Sequence, residues 1–426
     1  MDRRIHDLCV FLNEAKSQYH AIEALCRRLR EAGYQRLREE TPWQPVAGGK
    51  YYMTRGGSSL IAFRVPEEAP VGYVMSASHC DRPTFLIRDG ELTGRYTRLS
   101  TERYGGMLIH PWLDRPLSVA GRVLVDTPEG VQQRLVDIDR DLAMIPSLAI
   151  HMDRAANDGH KWDLQKELFP VIGSGSAAGK LKGLLEEAAG GKILSHDLYL
   201  YVRQQATVWG LEEEFISAPG LDDLMCVWGC ARGFLEARTS RSIPVLCVFD
   251  CEEVGSSSPQ GAGGTLLSDA LARISRGLGV DHDCMMANSF MVSADNAHAI
   301  HPNRPEMSDP VHAPQINGGV VVKTSASRSY TSDGMSTALF RKLCKGAGVP
   351  VQSFYNRPDQ RGGSTLGHIS CGHVSVPSVD IGLAQLAMHS CYETAGTKDP
   401  VYLLEAMRAC YSATFRCDGD GYTVTN

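Results

Sequence analysis

Three short apolar runs in this chain break off into metal-ligand chemistry, and few folds can accept that. "GYVMSAS" (72–78) runs into His79-Cys80-Asp81, "IPVLCVF" (243–249) into Asp250 and the adjacent pair Glu252-Glu253, and "SFMVSA" (289–294) into Asp295. None of these runs alternates cleanly, which suits strands covered on both faces. "LIAFRV" (60–65) and "SVPSVDIGL" (375–383) have the same character. Helical segments lie between some of them, at 221–238, 263–279 and 335–348, with apolar residues three and four apart and the last two ending at Gly. Strands alternating with helices predict an α/β fold, a three-layer domain on a largely parallel mixed sheet. Ligands of such sheets gather at the carboxyl ends of the strands, so these acids and imidazoles are expected to converge on one crevice.

A cluster of carboxylates is tolerable there only when cations neutralise it. His with Asp and Glu suits zinc, manganese or cobalt. The H-x-D spacing places Asp81 to hold the second ring nitrogen of His79. The Glu252-Glu253 pair suits a division of labour, one carboxylate on metal and its neighbour free as a general base. "APGLDDLMC" adds Asp222 and Asp223, and "LAQLAMHSCYE" adds His389. Taken singly, each has a plainer reading. The Asp pair could be a helix cap and first-turn acid, His389 a core histidine, and the Glu pair a solvated loop. It is their conjunction that points to a metal site.

Residues 91–215 differ from the rest. Shorter β-rich pieces ("SVAGRVLVDT", "QRLVDI", "HDLYLYVRQQATVWG") alternate with turns, predicting a β-rich domain inserted into the α/β domain of residues 1–90 and 216–426. "GSGSAAGKLKGLLEEAAGGK" resembles a phosphate loop only superficially. Ser174 stands where its first Gly is needed and Leu181 follows Lys180, so a flexible loop is expected. No G-x-S-x-G elbow is present.

A net charge of -6 excludes a broad basic field for nucleic acid or an anionic membrane. No run approaches the ~20 apolar residues that span a bilayer. The N-terminus reads as two amphipathic helices rather than a signal peptide. The 13 scattered cysteines fit reduced thiols of a cytoplasmic protein. The C-x-x-x-C pairs Cys226/Cys230 and Cys247/Cys251 read as small buried apolar residues.

Taken in order, "SASHCDRPTF", "YGGMLIHPWLDRPLSVAGRV", "PSLAIHMDRAANDG", "SAPGLDDL", "FDCEEVGSSSPQGAGG", "SADNAHAIHPN", "GGSTLGHIS" and "VDIGLAQLAMHS" resemble the aspartyl aminopeptidase family of cocatalytic metallopeptidases, in its bacterial wording. The resemblance covers nearly the whole chain. It implies two divalent ions per chain, zinc with manganese or cobalt as alternatives. His79 and Asp295 would hold the first ion, Glu253 and His389 the second, and Asp222 would bridge them. Glu252 would be the general base and Asp81 would orient His79. It also implies a cis Asp222–Asp223 peptide and removal of acidic N-terminal residues from peptides. Lys323, Tyr330 and His298 are the nominated pocket residues. His151 is expected to reach a neighbouring subunit's site. The inserted domain would make dimer contacts and cover the cleft, with dimers assembling into a tetrahedral dodecamer.

Two departures stand out. Asp223 replaces the family's usual Asn after the bridging Asp, and Ala384 replaces its usual Pro before Gln-Leu. Neither removes a ligand. His298 and His301 form an H-x-x-H pair that could mimic zinc ligands. Rival readings are a carboxypeptidase or deacylase on the same scaffold, an aminopeptidase of different preference, and a non-catalytic oligomeric shell.

Overall fold

The computed structural model describes residues 2–359, 362–363 and 365–425. Ser364, inside the "GGSTLGHIS" stretch, lies outside them. The chain forms two compact units. The first comprises 1–81, 206–388 and 393–426, and the second 82–205 with 389–392. The expected inserted segment was 91–215.

The first unit is built on a nine-stranded sheet. Its order is Gln35–Arg36, Lys50–Arg55, Ser59–Arg64, Ser242–Phe249, Gly72–His79, Phe290–Ala294, Ser378–Gly382, Val320–Lys323 and Val351–Phe354. The four strands from Ser242–Phe249 to Ser378–Gly382 run parallel, with antiparallel pairings on either side. Every residue of Gly72–His79 and Ser242–Phe249 is buried, which explains their unbroken apolar runs. Successive side chains of a strand point to opposite faces. Accordingly Tyr73, Met75 and Ala77 join one core with Leu266, Leu271 and Ile274, while Val74 joins another with Leu8, Trp228 and Leu403. Helix, sheet and helix thus form three layers, the α/β architecture expected.

The helices follow their patterns. Arg3–Glu14 and Gln18–Glu31 are the two N-terminal helices, and Asp2 and Ser17 cap them through side-chain oxygens. Leu221–Glu236, Leu266–Leu278 and Gly334–Ala347 are the three predicted internally. Gly279 and Gly348 end the last two in the left-handed conformation. A five-stranded sheet also belongs to this unit: Thr207–Trp209, Phe215–Ala218, Glu393–Gly396, Ala384–Leu386 and Ala297–His298. Cys226 and Cys230 pack in one core and Cys247 in the other. No helix among the described residues is long and apolar enough to cross a membrane.

The second unit is a six-stranded antiparallel sheet, ordered Gly130–Asp137, Leu117–Thr127, Ile193–Val202, Thr84–Leu92, Tyr96–Tyr104 and Val171–Ser174. The run "HDLYLYVRQQATVWG" supplies a strand here, and its last residues supply Thr207–Trp209 in the first unit. The Gly-rich patch corrects an expectation. It is not a loop throughout, because Lys180–Ala189 is a helix bounded by Gly179 and Gly190, both left-handed. Leu181, Leu185 and Ala189, spaced by four, bury one stripe of it.

Candidate metal centre

The site of the first unit forms where its parallel strands end. Phe249 pairs with His79, and Ser293 with Ala77, so Asp250, His79 and Asp295 leave the sheet at one level. Gly382 makes the approach of Asp295 possible, since a Cβ there would sit 2.1 Å from the Asp295 carbonyl oxygen. Asp222 enters from the start of helix Leu221–Glu236. Gly220 before it is left-handed, Asp222 and Asp223 have non-helical backbone angles, and the peptide between them is cis. The helix-cap reading of the pair therefore fails.

These elements bring ligand atoms together. Single donor atoms from His79, Asp222 and Asp295 all lie within 4.8 Å of one another, and all three residues are buried. His79, Glu252 and Glu253 form a second such group, and Asp222 and Glu253 also present oxygens within 4.8 Å of each other. The His79 Nε2 is 3.7 Å from an Asp222 oxygen. Its Nδ1 is 3.3 Å from the Asp81 carboxylate and 3.2 Å from the Asp81 carbonyl.

Asp81 does more than the H-x-D spacing suggests. Its Oδ1 accepts from the Glu252 N–H and its Oδ2 from the Glu253 N–H, each at 3.1 Å. One carboxylate thus fixes both the imidazole and the glutamate turn. That turn is a single 3-10 segment, Glu252–Val254, entered through left-handed Cys251.

The electrostatics are those of a crowded acidic pocket. Burial raises the Glu252 carboxyl to about 7; His79 opposes this, while Asp295, Asp81 and Asp222 add to it. Burial also raises Asp295, with the Lys323 ammonium opposing. For His79 burial acts downward, but the Asp81 hydrogen bond with the Asp223 and Glu252 charges carries the imidazole well above its ordinary value. Asp223, the replacement for Asn, is fully buried, accepts from the His79 N–H at 3.2 Å, and is raised by burial. A ligand set of this chemistry fits divalent cations, whose charge would relieve the crowding.

The other nominated residues are distributed as follows. Lys323 is no surface lysine: it is 3% exposed, with Nζ 3.7 Å from Asp295 Oδ2, 3.2 Å from the Asn296 carbonyl and over the Tyr330 ring. Tyr330 and His298 each lie 6.3 Å, ring to ring, from Phe354. His298 and His301 are both exposed. His389 and His151 belong to the second unit. His389 is half-buried and left-handed, with Nδ1 2.6 Å from the Gly106 carbonyl. His151 is exposed.

Several buried polar residues around the site escaped the sequence reading. Glu393 accepts from the Asp222 N–H at 2.9 Å. Asn296 donates to the Leu221 carbonyl at 2.7 Å and to Gln385 at 2.8 Å. Asp380 accepts from the Thr331 and Thr365 hydroxyls, each at 2.8 Å. Their only signal was proximity: Asn296 follows Asp295, and Glu393 lies four residues past His389.

Known proteins resemble this chain over most of its length. The sequence profile described as Aminopeptidase I zinc metalloprotease (M18) matches residues 11–411. A relative from Clostridium novyi, described as "Probable M18 family aminopeptidase 2", is 38% identical over 424 residues, covering 96% of this chain and 98% of the relative. The structure of the Ape4 and Nbr1 complex contains a chain of TM-score 0.93 and 33% identity, with 96% of this chain and 85% of that one covered. The S. cerevisiae mApe1 dodecamer matches at TM-score 0.83 and 26% identity, covering 95% of each chain. This chain therefore belongs to the M18 family of zinc metallo-aminopeptidases.

Proposed function

We propose that the protein is a dinuclear aminopeptidase that removes acidic residues, Asp and Glu, from the amino termini of peptides. The observation that carries this is the convergence of His79, Asp222 and Asp295 within 4.8 Å, beside Glu252 and Glu253. His79, Asp222 and Asp295 would hold one ion; Asp222, Glu253 and His389 would hold the other. Zinc is the first choice, as in the family description. Bound there, the ions would polarise the scissile carbonyl and acidify the attacking water.

The protein's own groups do the rest. Glu252 takes the proton of the attacking water and returns it to the leaving amine. Its carboxyl stands beside the proposed ligands Glu253 and His79 without being needed as one of them, which leaves it available for proton transfer. Asp81 keeps Glu252 and His79 in register through the contacts described above. Lys323, with Tyr330 and His298, would give the specificity pocket its positive charge and donors. In analogy with the dodecameric yeast relative, dimers of the chain would assemble into a tetrahedral dodecamer, with the second unit as the dimer and lid element and His151 reaching a neighbour's site.

A panel of chromogenic amides of Asp, Glu, Leu and Lys, with an N-acetylated control, tests this on the zinc-loaded protein. Cleavage of the Asp and Glu amides with the blocked control intact is expected. Cleavage mainly of Leu or Lys amides would discard the pocket, and cleavage of the blocked control would favour a deacylase. A monomer mass by light scattering would discard the assembly.

A further inference from the structure

The peptide unit that delivers Asp222 is gripped at both of its polar ends. Its N–H, on Asp222, donates to Glu393 Oε2 at 2.9 Å. Its carbonyl, on Leu221, accepts from the Asn296 side-chain amide at 2.7 Å. The two grips are tied to each other. Gln385 Oε1 accepts from the same Asn296 amide at 2.8 Å, and Gln385 Nε2 donates to Glu393 Oε1 at 3.4 Å. The Cys226 thiol donates to Asn296 Oδ1 at 3.1 Å, which sets the orientation of that amide. Glu393, Asn296, Gln385 and Leu221 are all buried.

The frame for this network is the five-stranded sheet. Glu393 pairs with Ala218 on the strand that leads into Asp222, and Gln385 pairs with His298 on the strand that follows Asp295 and Asn296. Burying a carboxylate is costly unless its oxygens are hydrogen-bonded, and Glu393 uses both oxygens on this network. An apolar residue would fill the space more cheaply. A buried acceptor at this place is accounted for by the N–H it holds in one direction.

We infer that Glu393 is a positioning residue, whose carboxylate fixes the Leu221–Asp222 peptide plane and so sets how the Asp222 side chain is presented to the metal ions. The inference rests on the proposed role of Asp222 as a ligand. In this role Glu393 acts through the Asp222 backbone.

Two substitutions separate the acceptor from its charge. Glu393→Gln keeps a carboxamide oxygen for the Asp222 N–H, loses the charge, and gives up only the longer 3.4 Å acceptance from Gln385 Nε2. Glu393→Asp keeps the charge and withdraws the oxygen by one methylene. Zinc affinity is read by competition with a chromogenic chelator, and melting of the chelated protein is followed separately, with Asp222→Ala as reference. The expected result is a zinc affinity weakened about 10–100-fold in Glu393→Asp, as for other residues that orient ligands, and held within about threefold of wild type in Glu393→Gln. Wild-type affinity in Glu393→Asp, with zinc lost in Asp222→Ala, would overturn the inference alone. So would equal zinc losses in both Glu393 variants, because charge or fold, not the acceptor, would then be at work. Wild-type zinc affinity in Asp222→Ala would overturn the ligand assignment and the inference with it.

Discussion

Replacing Asp81 by Asn tests how much of the centre hangs on one carboxylate. The two oxygens of Asp81 accept from two consecutive backbone N–H groups at 3.1 Å each, and one of them also lies 3.3 Å from His79 Nδ1. Asn offers one oxygen and one NH2. Whichever way it turns, one N–H of the Glu252-Glu253 turn loses its acceptor and faces another donor. An orphaned buried N–H costs about 1–3 kcal/mol. An opposing effect exists: the Asp81 charge helps raise Asp250 and Glu252, and removing it eases that repulsion. Stability is therefore a blunted readout, expected to fall by no more than about 2 kcal/mol. Metal affinity is the sharper one, because nothing compensates there: His79 loses its orienting carboxylate while the glutamate turn loosens. A fall of about 10–100-fold in zinc affinity is expected, with kcat/KM falling alongside. Chelator competition and denaturant melts on the same preparation measure both. Zinc affinity within about threefold of wild type would refute the argument, since the geometry leaves Asn no arrangement that satisfies both N–H groups.

Three other outcomes follow from the same geometry. Glu252→Gln should keep its metals yet lose about 10²–10⁴ in kcat, and near-normal turnover would remove Glu252 from the general-base role. Gly382→Ala should lower both zinc content and melting temperature, because its Cβ would meet the Asp295 carbonyl oxygen at 2.1 Å; a variant indistinguishable from wild type in both would contradict that packing. Chelation should destabilise more at high pH. Glu252 is raised from 4.5 to about 7 in the metal-free fold, so its contribution is fully present below the unfolded value and is lost as pH rises through the folded one. The stability gap between zinc-loaded and chelated protein should then widen by about 2 kcal/mol between about pH 5.5 and about pH 8, and a constant gap would count against this electrostatic account.

What the sequence disclosed, and what it hid, divides by the kind of atom involved. His79, Glu252, Glu253 and Asp295 could be singled out as candidates because three apolar runs end in residues of metal-ligand type, and Asp222 joined them only through that conjunction. The central strands are equally open, since a run buried on both faces cannot alternate. Helix Lys180–Ala189 was hidden by its surroundings: glycines dominate the patch, and the stripe of Leu181, Leu185 and Ala189 is only three residues long. Lys323 was hidden for a different reason. A lysine defaults to the surface, and only the acids it faces, first Asp295, keep it charged against the cost of burial.

Glu393, Asn296 and Gln385 mark a further limit. They act on main-chain atoms, and any backbone N–H or carbonyl looks like every other in a sequence. A ligand can be named from its type and place on a strand, but the residue that holds the ligand's peptide is defined only by where the chain folds back. Here it folds back through the strands Ala384–Leu386 and Glu393–Gly396, which pair antiparallel and lie on either side of residues 387–392 in the chain. His389 stands in that connection. The sequence segment that supplies one proposed ligand therefore also supplies the grip on another, and a substitution chosen to disturb either should be read for its effect on both.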